Sequence, residues 1–485
     1  MLDMYIFHCF RLTLKMFQNL LNKQYSVLLI FATIVLIVVG YNFYNGNVLN
    51  MYYTQNKNPL SWDGVPTHKD TLVDWKQVNQ MRKLPRAVKW SKIKRRTPPS
   101  KEDMYDKWIV VTSIAAPTSD VKLLSKIAGW KLLVVGDKKT PKSWSLPNTI
   151  YLSVEKQVEL GYRTAQVMPY SNYARKTIGH LYAIQHGAKM IYETDDDTHP
   201  YNNTIKFFQE QKGDFYVYST DRDTVNPYAH FGQASIWPRG YPLENIANPP
   251  VYTFVKCKDA RALIQQGVVD GDPDVDAVFR LTRKDDGVQL DLRFDPKAPP
   301  ILIPPGAYTP YNCQNTLHFK DAFWGLVLPP SGTLRVTDIW RSFYVQRLLQ
   351  EVNGYLGYFG PTAYQVRNAH NYLRDFIDEE ELYYKSGRYI SYLEKWNGRG
   401  LDFFNRMLKL AIDLVVEDIW KPIDAVVVEA WIEDLVSFGY EPPKLSTTPK
   451  PCKHIIESTK EMKFQQQPSS HLRIGKKMKE IQSLG

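Results

Sequence analysis

Residues 188–202 read AKMIYETDDDTHPYN. A short apolar-rich run, the pattern of a buried strand, leads directly into Asp195, Asp196 and Asp197. Three adjacent carboxylates repel one another, which weakens local order or raises a pKa. The cluster is also unexpected in a chain with a net charge of +11. A hard divalent cation removes the repulsion, and Mg2+ typically uses one or two carboxylates plus substrate phosphates. A solvated acidic turn, helped by Thr198-His199-Pro200, is the other reading of the same residues.

The elements around the triad bear on the choice. WIVVTSI (108–114), KLLVVGD (131–137) and TIYLS (149–153) are buried-strand patterns, and SDVKLLSKIAGW after the first of them is helical. NYARKTIGHLYAIQHG carries Ile178, Leu181, Tyr182 and Ile184 at helical spacing and ends at Gly187, a C-cap residue. Strands alternating with helices predict an α/β fold with a mostly parallel sheet flanked by helices. Ligands of such sheets bind at the carboxyl ends of the strands. Asp137 after the second strand and Asp195 to Asp197 after the fourth therefore share one edge. No Gly-x-Gly-x-x-Gly, lysine-containing phosphate loop or Gly-x-Ser-x-Gly elbow is present. An aspartyl-phosphatase pattern fails because His199 stands where it needs threonine.

Length and composition set the wider frame. The 485 residues exceed the usual size of one compact domain. The basic charge is concentrated from Arg82 to Lys101, which holds nine Lys or Arg and no acid. With Pro85, Pro98 and Pro99 it predicts an exposed segment rather than a nucleic-acid site. Cys9, Cys257, Cys313 and Cys452 show no CxxC spacing, which excludes zinc-ribbon and thioredoxin-type readings. Cys257 and Cys313 are candidates for one disulfide in an oxidising compartment. Residues 25–44, YSVLLIFATIVLIVVGYNFY, have an apolar core between interfacial tyrosines and predict one membrane-spanning helix. Arg11, Lys15 and Lys23 precede it, so residues 1–24 are expected to be cytoplasmic and the remainder lumenal. The long lead and the missing small-x-small site favour an uncleaved anchor over a signal peptide.

Several long blocks together resemble one family. WIVVTSIAAPTSDVKLLSKIAGWKLLVVGDKKTP, YARKTIGHLYAIQHGAKMIYETDDD, WPRGYPLE, QQGVVDGDPDVDAVFRLTR and PYNCQNTLHFKDAFWGLVLPPSGTLRVTDIWRSF look like the STELLO-type glycosyltransferases. The resemblance runs from about Trp108 to Phe343. It implies a single-pass type II Golgi membrane protein with a GT-A-like domain. The partners it implies are a nucleotide sugar and a glycan or glycoconjugate acceptor; the alternative reading is a non-catalytic membrane scaffold with a GT-A fold that organises other glycosyltransferases. In GT-A enzymes an Asp-x-Asp motif holds Mn2+ or Mg2+ against the donor diphosphate. That motif matches Asp195 and Asp197, with Asp196 between them, and a UDP-sugar is the favoured donor. Nucleotide neighbours would be Thr112, Ser113 and Asp137, with Lys138 and Arg175 or Lys176 as cations for phosphate. His318 is the candidate third metal ligand.

Asp338, in LRVTDIWRSFYVQRLLQ, is the candidate general base. Electrostatic support of a helix start explains the same placement. The loop DGDPDVDAVFRLTR carries Asp270, Asp272, Asp274 and Asp276 without the EF-hand pattern, and a structural turn accounts for it. Trp324 fits sugar stacking and core packing equally. An Asn202-Asn203-Thr204 glycosylation sequon stands five residues after the triad. The resulting layout is a lumenal basic stem (45–106), a GT-A-like domain (107–350), a helical C-terminal region (351–441) and a polar tail expected to be disordered (442–485).

Overall fold

A computed structural model describes residues 88–205, 208, 210–283, 290–366, 371–446 and 453–454. The expected anchor at 25–44, the cytoplasmic segment, most of the stem and nearly all of the tail lie outside these residues. Among the described residues no helix is long and apolar enough to cross a membrane.

The chain builds β1 (Lys107–Thr112), β2 (Lys131–Val135), β3 (Thr149–Leu152) and β4 (Met190–Thr194) as parallel neighbours in the order β3-β2-β1-β4. Their side chains alternate between two apolar layers. Val110, Leu133 and Val135 meet the helix Lys176–Gln185 on one face, while Ile109, Val111, Leu132 and Val134 meet Val121 and Leu124 on the other. Burial on both faces explains the continuous apolar runs.

Beyond β4 the sheet changes character. β5 (Thr198–Pro200), β6 (Lys212–Tyr218), β7 (Phe254–Gly271), β8 (Ile301–Leu302), β9 (Asn315–Phe319), β10 (Tyr355–Gln365) and β11 (Lys453–His454) complete it. β9 runs antiparallel to both β4 and β7. β7 pairs antiparallel with β6 along its first half and parallel with β10 along its second. The expected mostly parallel sheet is thus corrected to a mixed one, wholly parallel in its β3-β2-β1-β4 half and of both senses beyond it, where β7-β10 and β6-β8 are the parallel pairs. The sequence pattern could not show this, because antiparallel strands buried on both faces carry the same apolar texture as parallel ones.

The C-terminal region also departs from expectation. β10 lies inside the sheet, so 351–441 is not purely helical. The helices Glu380–Lys395, Phe403–Val416 and Pro422–Phe438 share one apolar core with the 176–185 and Thr337–Gln350 helices. Trp431 Nε1 donates to Trp324 O at 2.9 Å, and Tyr344 OH to Met407 O at 2.9 Å. The basic run likewise docks in part. Trp90 is buried edge-on to Phe404, and Arg96 lies over the Tyr162 ring at 5.2 Å with its amide bonded to Ser437 O. Cys313 is free and buried whereas Cys257 is disulfide-bonded, so the two do not pair with each other.

Candidate active site

Four neighbouring segments converge at the carboxyl edge of the parallel strands. After β1, Ser113 Oγ donates to Asp196 Oδ2 at 2.5 Å. Thr118 Oγ1 donates to the Asp196 carbonyl at 2.6 Å and accepts from Val121 N at 3.1 Å. One threonine thus caps the helix Ser119–Leu124 and pins the loop after β4. After β2, Thr140 Oγ1 accepts from Asp137 N and donates to Ser113 O, both at 2.8 Å. Asp137 Oδ2 accepts from Asn172 N at 3.0 Å, which carries the network to the start of the 176–185 helix. There Tyr173 OH and Lys176 Nζ donate to Asp195 Oδ1 at 2.8 and 3.1 Å. The chain of contacts therefore joins Ser113, Asp137, Asp195 and Asp196. Asp197 lies beside them, half-buried.

The electrostatics reflect the crowding. Burial raises the Asp196 pKa, the Ser113 bond opposes this, and the neighbouring Asp195 adds to the rise. Burial alone would lower the Lys176 pKa, but the acids around it, Asp195 foremost, hold it above the ordinary lysine value. Burial, reinforced by Asp195, pushes the Tyr173 phenol well above its usual value, so it remains a proton donor.

A second charged layer lies underneath. Glu193, on β4 and fully buried, receives Arg341 Nη1 at Oε1 (2.9 Å) and faces His318 Nε2 from Oε2 (2.9 Å). His180 Nε2 lies 3.0 Å from Oε1. Burial holds both imidazoles below their ordinary value, His318 at about 4, and Arg341 brings a full positive charge against Glu193. Burial would raise the Glu193 pKa, yet Arg341 and the histidines bring it well below the carboxylate range.

The chain is similar in sequence to known proteins. The profile of the STELLO glycosyltransferases matches residues 335–465. "Probable glycosyltransferase STELLO1" of Arabidopsis thaliana is 39% identical over 374 residues, 74% of this chain and 48% of the relative. "Probable glycosyltransferase STELLO2" of the same organism is 34% identical over 440 residues, 87% of this chain and 55% of the relative. The chain belongs to the STELLO family. It spans about half the length of these two relatives.

In this STELLO chain several nominated residues hold posts other than those expected. Arg175 does not face a phosphate: it is buried, bonded to Gln157 Oε1 (Nε, 2.9 Å) and Met168 O (Nη1, 3.1 Å), and stacked on Tyr170 at 4.4 Å. Lys138 is exposed, its ammonium 4.5 Å from the Tyr170 ring centre. Thr112 points a buried Oγ1 at no hydrogen-bond partner among the described residues. His318 belongs to the Glu193 layer rather than to the aspartates. Asp338 does open the 337–350 helix, but it is buried and Arg239 donates to both its oxygens at 3.1 and 3.0 Å. Both oxygens of this carboxylate are thus engaged by one guanidinium.

The acidic loop is likewise spent on structure. Asp274 pairs with Arg239 and Asp272 with Arg280, while Asp276 takes Trp237 Nε1 and Phe279 N. Trp324 is buried against Phe403, and Asn202 is exposed in a left-handed turn with φ 52°. Thr118, Asn172 and Tyr173 were not legible as site residues, because their partners lie 20 to 80 residues away. Glu193 carried a faint signal, a charge inside an apolar run.

Among the described residues no three His, Cys, Asp or Glu side chains form a ready metal cage. The donor set is oxygen only, half-buried and short of counter-charge around Asp196. Such a set fits a hard ion shared with a substrate's phosphates.

Proposed function

We propose that this STELLO protein is a metal-dependent glycosyltransferase that moves a sugar from a nucleotide sugar to a glycan or glycoconjugate. The observation that carries the reading is the joining of Ser113, Asp137, Asp195 and Asp196 at the carboxyl ends of parallel strands, where α/β sheets bind ligands. The domain is taken as GT-A-like, and Asp195 and Asp197, flanking Asp196, as the residues that would hold Mn2+ or Mg2+. That ion would supply neutralisation of the diphosphate leaving group. Ser113 and Asp137 then border the nucleotide, with a UDP-sugar as favoured donor. One type II anchor, with the catalytic part lumenal, rests on the sequence of residues 1–44, and placement in the Golgi rests on the family resemblance. The disulfide at Cys257 agrees with an oxidising lumen.

The lock on Asp338 favours a second reading, a GT-A-like scaffold that binds nucleotide and organises other glycan-synthesising enzymes without turnover. Chromatography of the full chain incubated with UDP- and GDP-sugars and a mixture of glycan acceptors, whose hydroxyls take the sugar, separates the two. The enzyme reading expects metal-dependent release of one nucleoside diphosphate, reduced on the order of 10²-fold or more in Asp195→Asn/Asp197→Asn. Donor that stays intact with every sugar nucleotide supports the scaffold.

A further inference from the structure

Three consecutive aspartates need a counter-charge, and the fold supplies one from inside. Lys176 opens the 176–185 helix with its side chain wholly buried. Its ammonium reaches Thr194 O at 2.8 Å, Tyr173 OH at 2.9 Å, Asp195 Oδ1 at 3.1 Å and Cys313 O at 3.3 Å. Tyr173 OH donates to the same Asp195 oxygen at 2.8 Å. Two donors thus take Oδ1 of a carboxylate that is 31% exposed. Among the described residues none is recorded on Oδ2. A lysine taken this far out of water persists only where its charge is matched and its protons are used. Here the carbonyl that ends β4, the first aspartate of the triad and the Cys313 carbonyl ahead of β9 converge on a single ammonium.

We propose that Lys176 is a positioning residue, the resident counter-cation of the triad. It neutralises Asp195 through Oδ1 and ties down the end of β4, so the carboxylate cluster stands preformed before any divalent ion arrives. Its effect on an incoming ion rests on the metal-site reading above, whereas its pairing with Asp195 does not. Removing the ammonium leaves Asp195 uncompensated, and a divalent ion then has more negative charge to meet.

The test uses the full chain in detergent, stripped with EDTA, as wild type, Lys176→Met, Asp195→Asn and the double variant. Lys176→Met is expected to lower Tm by roughly 5 °C, as for a broken buried pair in a large domain. Adding Asp195→Asn should return at least half of the loss. Mn2+ should then raise Tm more in Lys176→Met than in wild type. A lysine that only fills space would show no recovery from Asp195→Asn, and that result overturns the proposal whatever Mn2+ does. An equal Mn2+ response in wild type and Lys176→Met overturns the shared-charge role. If Mn2+ moves no variant while Asp195→Asn still rescues, the counter-cation stands and the metal-site reading falls. Should Lys176→Met not fold, the comparison passes to folded yield, which the double variant must recover.

Discussion

A carboxylate's chemistry is set by its contacts, and Asp338 and Asp195 differ there. Asp338 shares Arg239 with Asp274, a buried charge triplet far from sequence neighbours. Arg239→Ala removes the cation that Asp274 and Asp338 share, and breaking a buried pair in this way costs about 3–5 kcal/mol. Urea denaturation should show that loss as a lower midpoint. Asp338→Asn keeps one acceptor for Arg239 and should lower the midpoint less, with nucleotide binding intact. Loss of nucleotide binding in Asp338→Asn, at unchanged stability, would return Asp338 to the active site. Asp195 is partly exposed, and its partners Tyr173 and Lys176 belong to the helix start that also reaches Asp137. Acids alike in sequence thus differ in exposure and in the cation that faces them.

At the scale of elements, the 176–185 helix sets the edge by lying close to the sheet. A Cβ at Gly179 would stand 2.6 Å from Val135, 2.8 Å from Leu133 and 2.9 Å from Val110. Gly179→Ala should cost about 1–3 kcal/mol by overpacking, read by thermal unfolding. It should also shift Lys176 and weaken nucleotide binding. The Glu193 layer ties this helix to β4, β9 and the 337–350 helix, and it makes stability pH-dependent. Burial holds His318 at about 4, against an ordinary 6.5. The unfolded chain therefore takes up the proton first as pH falls from about 6.5 to 4, and stability is lost across that window. His318→Gln, which still donates to Glu193 but does not titrate, should show a shallower fall of Tm over the same range. The alternating strands and helices up to β4 were legible because each is a contiguous apolar pattern. β10 was not, since Gly354, Gly357, Gly360 and Pro361 break its texture. Lys176 was legible only as a basic residue at a helix start, since inward and outward lysines look alike in sequence.

The described residues all fall within one compact unit, 66–485. The C-terminal helices are part of its core: Trp431, Leu435 and Ile432 are fully buried, and Asp434 accepts from the amides of Arg163 and Thr164. Truncation before Phe403 should therefore abolish cooperative unfolding and make the sheet domain protease-sensitive, which limited proteolysis would show. A stable, cooperative fragment 88–402 would contradict this placement. On the proposed function, the triad edge binds a nucleoside diphosphate through a divalent ion. Thermal unfolding of the full chain with UDP or GDP, with and without Mn2+, beside Asp195→Asn/Asp197→Asn, tests it most directly. The expected result is a rise in Tm with one nucleotide that needs Mn2+ and disappears in the double variant. No rise with either nucleotide at millimolar concentration, in folded protein, would contradict it.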